Sequence, residues 1–318
     1  MAYYIAYDGG GTKVKAVVFD DEFNLISYKT GGGVNLNFHK KEDVMRHIDA
    51  SVGEAAREVN GDISAAYGVM VGIDAESERQ IRSYMPNAEI KYYGEPHFNL
   101  LSALFKLKGV CVLAGTGASF FWLDGEKRSE AMGGFGAHIG DEGSGYYIGE
   151  NGIRAALQYM NGWGEKTLLT ELFQDMVGTE GRRSPFEYFY GEKFRHIPQH
   201  MKISGFTRQV EQACKMNDKV AIGIVCRAGE CLALQTIALF KKCNIPGNVQ
   251  TVLSGGAWKT DFRIKRRFTE LFSAEYPESE IISPVLEPVA GGIVTHAMKT
   301  GALNDRVKNK IIENFKEL

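Results

Sequence analysis

A chain of 318 residues, 44% of them apolar, is long enough to build two domain-sized cores. Its 37 Lys and Arg against 39 Asp and Glu leave a formal net charge of −2, which excludes the basic footprint of a nucleic-acid binder. Five cysteines, an odd number (Cys111, Cys214, Cys226, Cys231, Cys243), and a start without an apolar leader argue for a reducing compartment, so a cytoplasmic location is expected.

In chain order, residues 3–7 read as a short strand rich in β-formers. Beyond Gly9-Gly10-Gly11, Val14, Ala16 and Val18 alternate with Lys13, Lys15 and Val17 as a second strand. Asp20-Asp21-Glu22 then turns the chain into a third at 25–28. Over 42–56 the residues Val44, Ile48, Val52 and Ala56 recur every four positions, the period of an amphipathic helix. A strand at 65–71, a helix at 76–84, a strand at 89–93 and a helix opening at Pro96 complete the order βββαβαβα. The grammar then restarts. A strand at 110–114, the turn Gly115-Thr116-Gly117, a strand at 119–123, the acidic turn Asp124-Gly125, a polar strand and Gly133-Gly134 repeat five features in the same order. That agreement predicts an internal duplication.

Residues 161–216, mixed in glycine, aromatics and charge, read as an inserted cap of helices and loops. A long helix at 219–242 places Val220, Ile224, Ala228, Leu232 and Thr236 on one stripe. Arg227, Glu230 and Gln235 make it too polar for a bilayer span, and Cys226 and Cys231, with no histidine nearby, read as core thiols. A buried strand at 249–253 ends in Ser254-Gly255-Gly256. A helix at 262–272, a strand at Ile281-Ile282, a helix opening at 288–292 and a charged helix at 305–315 follow.

Three strands thus end in glycine clusters. Glycine lets peptide N–H groups approach an anion with no Cβ in the way, and successive amides form an anion-binding nest. A triphosphate needs several such cradles. No Gly-x-x-x-x-Gly-Lys-Ser/Thr loop is present, and Gly134-x-Gly136-x-x-x-Gly140 lacks the spacing of a dinucleotide fingerprint. Asp8, directly before the first cluster, would repel a phosphate unless Mg²⁺ stood between them; a simple turn-forming role is the alternative. In 133–145, six glycines surround Asp141-Glu142, and a helix begins at Ser144. The interleaved Phe135, Ile139 and Tyr146 predict that this loop is not freely solvated.

Residues 8–13, 114–119, 133–149 and 253–260 resemble the motifs of the N-acetylglucosamine kinase and BadF-type (BadF/BadG/BcrA/BcrD) ATPase family, within the actin/hexokinase/Hsp70-like superfamily. Gly140-Asp141-Glu142-Gly143-Ser144 is the most specific piece. The resemblance implies an α/β fold of duplicated ribonuclease-H-like domains, each a mixed five-stranded sheet with flanking helices, with ATP and Mg²⁺ held in a cleft. The domains would be 1–114, completed by the final helix at 305–318, and 115–304 with its insertion. Asp8, Gly9, Gly10, Gly11, Thr12 and Lys13 would form the first phosphate loop, with Asp8 on the metal. Gly115, Thr116 and Gly117 would form the second, and Gly255, Gly256 and Ala257 would meet the adenosine end. Asn35, Gly134, Phe135 and Asp141 would contact a sugar, and Thr116 would reach sugar or phosphate.

Glu95 stands where the family usually has an aspartate as the catalytic base, and the extra methylene extends its reach by about 1.5 Å, which demands a shifted substrate pose. Val71-Gly72-Ile73-Asp74 is bulkier than the family's usual loop, and Phe135 replaces a frequent tryptophan. The implied reaction is ATP-dependent phosphorylation of an amino sugar, N-acetylglucosamine or a relative, by a homodimer with no nucleic-acid or membrane partner. The alternatives are an ATPase that activates a partner enzyme and a nucleotide-binding sensor without kinase activity. Activators of the first kind carry a [4Fe–4S] cluster between subunits, which Cys226 and Cys231 within one helical pattern disfavour.

Overall fold

Strand β1 (Tyr3–Gly9) buries Ile5, Ala6 and Tyr7 completely, so both of its faces are covered and it takes the centre of a sheet. The computed structural model describes residues 2–59, 61–125, 129–179 and 181–318. The first sheet has the order β3-β2-β1-β4-β5, with β2 at Lys13–Asp20, β3 at Leu25–Gly32, β4 at Ile63–Met70 and β5 at Glu89–Tyr92. Strands β1, β2 and β3 pair antiparallel, whereas β4 and β5 run parallel to β1. Ile5, Tyr7, Val14, Ala16 and Val18 pack on Val44, Ile48 and Val52 on one face. Those last three come from a helix (Lys41–Ile48) that passes through a π-helical turn (Asp49–Gly53) into Glu54–Arg57. The other face meets the helices Glu95–Leu104 and Ala290–Lys299.

The second sheet, β10-β9-β6-β7-β8, repeats that order: in both sheets the first strand lies in the middle and the third and fifth at the edges. Its strands are β6 (Lys108–Ala114), β7 (Ala118–Asp124), β8 (Ser129–Gly133), β9 (Thr251–Ser254) and β10 (Ile281–Ile282). This is the α/β fold, two mixed five-stranded sheets with flanking helices, that the family resemblance implied, and it carries the duplication expected from the repeated grammar. By backbone proximity, unit 1 comprises residues 1–109, 123–128 and 282–318, and unit 2 comprises 110–122 and 129–281. The boundary expected from the sequence is 114/115. The returning segment begins at 282, ahead of the final helix (Asp305–Phe315), and includes Ala290–Lys299.

Unit 2 is held by the helices Gly145–Met160, Lys219–Cys243 and Phe262–Glu275 around β6 and β7. Phe240, Phe268 and Phe272 are buried; Phe268 stacks on Phe272 at 5.3 Å between centroids and Phe240 meets Phe272 edge-on at 5.2 Å. Full burial of each such side chain stabilises by about 2–3 kcal/mol. Residues 161–216 are helical in large part, and Thr207 Oγ1 donates to the Gly145 carbonyl at 2.7 Å. The buried stripe of Lys219–Cys243 starts one residue later than expected, at Ala221 and Val225, then continues through Ala228, Leu232 and Thr236. By length and composition this helix is apolar enough to cross a membrane, contrary to the expectation from its charges. Its apolar stripe lies in the core of unit 2, where it packs on Phe262–Glu275. Cys226 and Cys231 are half-buried on its flank rather than core thiols, and all five cysteines are unbridged.

In unit 1 a buried histidine makes one stability prediction. His296 is 5% exposed, stacks on Tyr4 with centroids 3.8 Å apart, pairs through Nδ1 with Tyr67 Oη at 3.0 Å, and lies beside Phe19 and Phe23. Burial lowers its pKa from 6.5 to about 4, against the opposing pull of Asp21. Below pH 6.5 the unfolded chain therefore binds a proton that the native state refuses. The stability present at neutral pH is lost as pH falls from 6.5 towards 4. In urea titrations, wild type should lose more stability between about pH 7 and about pH 5 than His296→Gln. Equal losses would show that the ring does not titrate this way.

Candidate active site

Parallel strands β1, β4 and β5 all end at one edge of the first sheet, the edge at which open α/β sheets take ligands. Asp8 lies at the end of β1. Antiparallel register pairs it with Lys15 of β2, so the two side chains share a face. Glu95, directly after β5, opens the helix Glu95–Leu104, with Gly94 as N-cap and Pro96 in the second helical position rather than the first. Glu287, from the segment before Ala290–Lys299, lies 3.6 Å from Lys13 Nζ and 3.4 Å from Lys15 Nζ.

Burial and then the charge of Glu95 push the Asp8 carboxyl up to about 7; Lys13 and Lys15 pull it down and Glu287 adds to the push. Burial alone raises Glu95. Neither carboxyl group has a hydrogen bond or ion pair among the described residues, although both are half-buried. Among those residues no three His, Cys, Asp or Glu side chains converge as a metal cage would. Mg²⁺ requires none, since it keeps several waters and binds through one or two carboxylates plus phosphate oxygens. The unpaired Asp8 carboxyl fits that ion.

The first glycine turn shows how a backbone can be aimed. Its successive carbonyls are tied back into unit 1: Gly9 O accepts from Val71 N at 2.9 Å, Gly10 O from Val34 N at 2.9 Å, and Gly11 O from His39 Nε2 at 2.7 Å. A trans peptide is planar, with its N–H antiparallel to its C=O. Holding the Gly10 and Gly11 carbonyls back therefore turns the Gly11 and Thr12 N–H groups the opposite way. Asn35 lies in the next turn, 6% exposed, where its Oδ1 accepts from Asn37 N at 2.9 Å and its NH₂ remains as the donating end. The 71–74 loop touches that turn, with Gly72 against the Asn35 amide and Leu36 N donating to Gly72 O at 2.9 Å. Asp74 is committed as N-cap of Ala75–Tyr84 and as partner of Lys41.

Unit 2 repeats the device. Gly115 O accepts from Gly145 N at 2.8 Å and Thr116 O from Tyr146 N at 3.1 Å, which turns the Thr116 and Gly117 N–H groups away from the helix Gly145–Met160. The first N–H groups of that helix are thereby used on the loop. Ser144 caps it by accepting from Tyr147 N at 3.1 Å. Gly255 lies with its α-carbon against the Ala114 carbonyl, so Gly255, Gly256 and the buried Ala257 flank the 115–117 turn across the parallel pair β6 and β9.

Asp141 is the most constrained residue of this half. It is 7% exposed and holds a left-handed backbone (φ 63°), and its Oδ1 is buried with no hydrogen-bond partner. Its Oδ2 occupies the space a Cβ on Gly117 would take. Burial raises its carboxyl pKa, against the N–H groups of Ala118 and Gly136 that favour the anion; Glu142 adds to the rise. Gly134 N donates to Ala118 O at 2.9 Å, placing that residue beside the same turn. Phe135 and Ile139, by contrast, are 72% and 80% exposed, so of the three side chains expected to anchor the loop only Tyr146 does so. The β8 loop turns through positive φ at Gly133, Gly134 and Gly136 and throws both side chains outward.

Unit 1 therefore brings together Asp8, the 9–13 turn, Glu95 and the Asn35 turn. Unit 2 brings together the 115–117 turn, Gly255, Gly134 and Asp141. Two cavities in unit 2, about 800 Å³ beside Trp258 and Phe262 and about 330 Å³ beside Phe186 and Phe189, contain none of these residues. Sequence reasoning missed Lys15, His39 and Glu287. Lys15 was legible from hairpin register with Asp8, whereas Glu287 is distant in sequence and carries no local signal.

Residues 7–298 match the sequence pattern of the BadF/BadG/BcrA/BcrD ATPase family. The chain belongs to that family. It is 27% identical over 304 residues to the N-acetylmuramic acid/N-acetylglucosamine kinase of Clostridium acetobutylicum, covering 92% of this chain and 98% of the relative. It is 24% identical over 310 residues to the N-acetyl-D-glucosamine kinase of Dictyostelium discoideum, covering 91% and 95%. A solved structure from Chromobacterium violaceum, described as a candidate N-acetylglucosamine kinase, superposes with a TM-score of 0.71 at 18% identity, covering 92% of this chain and 98% of that one. That structural likeness shows that this BadF-family chain shares the fold.

Proposed function

We propose that this BadF-family ATPase is a kinase that moves the γ-phosphoryl group of ATP to a hydroxyl of an amino sugar, N-acetylglucosamine or a close hexosamine. The observation that carries the reading is the same backbone device in both units, a glycine turn with its carbonyls tied back and its N–H groups turned outward, as a polyphosphate requires. The activities named for the two relatives support the sugar as acceptor.

Phosphoryl transfer needs positioning and charge stabilisation more than covalent help from the protein. Mg²⁺, held by Asp8, would offset charge on the phosphates. The turns at 9–13 and 115–117 bind phosphate oxygens, and Gly255, Gly256 and Ala257 receive the adenosine end. Asn35 donates to a sugar oxygen through its NH₂, and Asp141 accepts from sugar hydroxyls at Oδ1. Glu95 takes the proton of the attacking hydroxyl as the new O–P bond forms and the bond from phosphorus to the ADP oxygen breaks. Thr116 and Gly134 line the sugar side of the second turn. The proposal includes a homodimer with no nucleic-acid or membrane partner, in keeping with a net charge of −2.

A panel of hexoses and hexosamines, read by ADP release, tests the reading. N-acetylglucosamine or glucosamine should give Mg²⁺-dependent turnover well above the sugar-free rate, and Asp8→Asn should lower it by about a hundredfold. ATP hydrolysis indifferent to every sugar would overturn the assignment.

A further inference from the structure

Three consecutive carbonyls orient the first phosphate turn, and two of them are held by backbone N–H groups. The third, Gly11 O, is held by a side chain, His39 Nε2, at 2.7 Å. Because that oxygen can only accept, Nε2 carries the proton. The same histidine is anchored in the turn that carries Asn35. His39 N and Phe38 N both donate to Asn35 O at 3.0 Å, and Asn37 N donates to Asn35 Oδ1. A Cβ on Gly33 would fall onto both His39 Nε2 and Gly11 O, so the residue between the two turns is one that leaves this bond room. His47 Nδ1 meets Gly33 O at 2.8 Å, and its ring stands edge-on to His39 with centroids 6.0 Å apart, fixing the strand end from behind. The Phe38 ring covers the outer side of Gly11.

We propose that His39 is a positioning residue for phosphoryl transfer: by holding the Gly11 carbonyl it aims the Thr12 N–H at nucleotide phosphate and fixes the Asn35 turn to the phosphate turn. This rests on the kinase reading above and deepens it. One planar peptide unit is the lever, since rotating the Gly11 carbonyl out of line rotates the Thr12 N–H with it. Without His39, the permissive backbone of Gly11 would leave that peptide free to turn.

The test compares His39→Ala with His39→Gln, whose amide can still donate to Gly11 O. It uses steady-state ADP release with the best sugar, titration of a fluorescent ATP analogue without sugar, and thermal unfolding. His39→Ala should raise both the ATP KM and the analogue Kd about tenfold. Its kcat should fall less than threefold and its unfolding temperature should stay close to wild type. His39→Gln should recover most of the lost affinity. Wild-type analogue affinity in His39→Ala, or a glutamine variant as weak as the alanine one, would overturn the proposal. Should no sugar support turnover, the kinase reading fails, and the analogue titration still decides whether His39 orients the turn.

Discussion

Glu95→Gln should lower sugar-dependent turnover by about a thousandfold while leaving the ATP KM within about twofold, the pattern of a lost general base rather than of lost binding. Glutamine keeps the shape and the place at the first position of Glu95–Leu104 but cannot accept a proton. Glu95 is suited to that step because its carboxyl sits half-buried beyond the carboxyl end of β5, with no hydrogen bond or ion pair to that group among the described residues to quench it. Its position in the first helical turn favours the anion, yet burial prevails and raises its pKa. The acid limb of the kcat profile should therefore lie above the range of an ordinary glutamate, and it should vanish in Glu95→Gln. A glutamine variant within tenfold of wild type would remove Glu95 from the chemistry and leave it as a helix-terminal residue.

Asp141→Asn should raise the sugar KM by about a hundredfold, since a buried carboxylate that accepts from sugar hydroxyls forms stronger hydrogen bonds than an amide. Asparagine tolerates the left-handed backbone at this position, so folding is preserved. The sugar-free protein should become more stable at neutral pH, because burial penalises the charged carboxylate and an amide carries no charge. The sign with pH follows from the raised pKa. Above the ordinary carboxylate pKa the unfolded chain has released its proton while the native carboxyl still holds one. Stability therefore falls as pH rises through that window, and the variant escapes the loss. Thermal unfolding with and without sugar reads both effects: sugar should raise the wild-type midpoint and leave the variant's nearly unmoved. A sugar-free variant less stable than wild type at neutral pH would show that the Oδ1 oxygen has a partner and that its role is structural.

The duplication, the order of strands and the glycine turns were legible because they are local. Strand alternation, acidic turns and Gly runs act through neighbours in sequence, and the same order appears in both sheets. The family was legible for a related reason, since Gly140-Asp141-Glu142-Gly143-Ser144 encodes one compact loop. Burial on that loop was not. Phe135 and Ile139 looked like anchors, but the β8 loop turns them outward, whereas the charged Asp141 is enclosed.

By itself, then, the sequence determined two α/β units with glycine turns at strand ends and acids beside them. Tertiary structure alone decided what those acids and turns experience. Glu287 comes from the far end of the chain to occupy Lys13 and Lys15, and Glu95 comes near enough to raise the Asp8 pKa. His39 reaches back 28 residues to hold Gly11. Charge, burial and hydrogen-bond direction depend on distances through space, and a linear pattern of residue types fixes those only after the chain has packed.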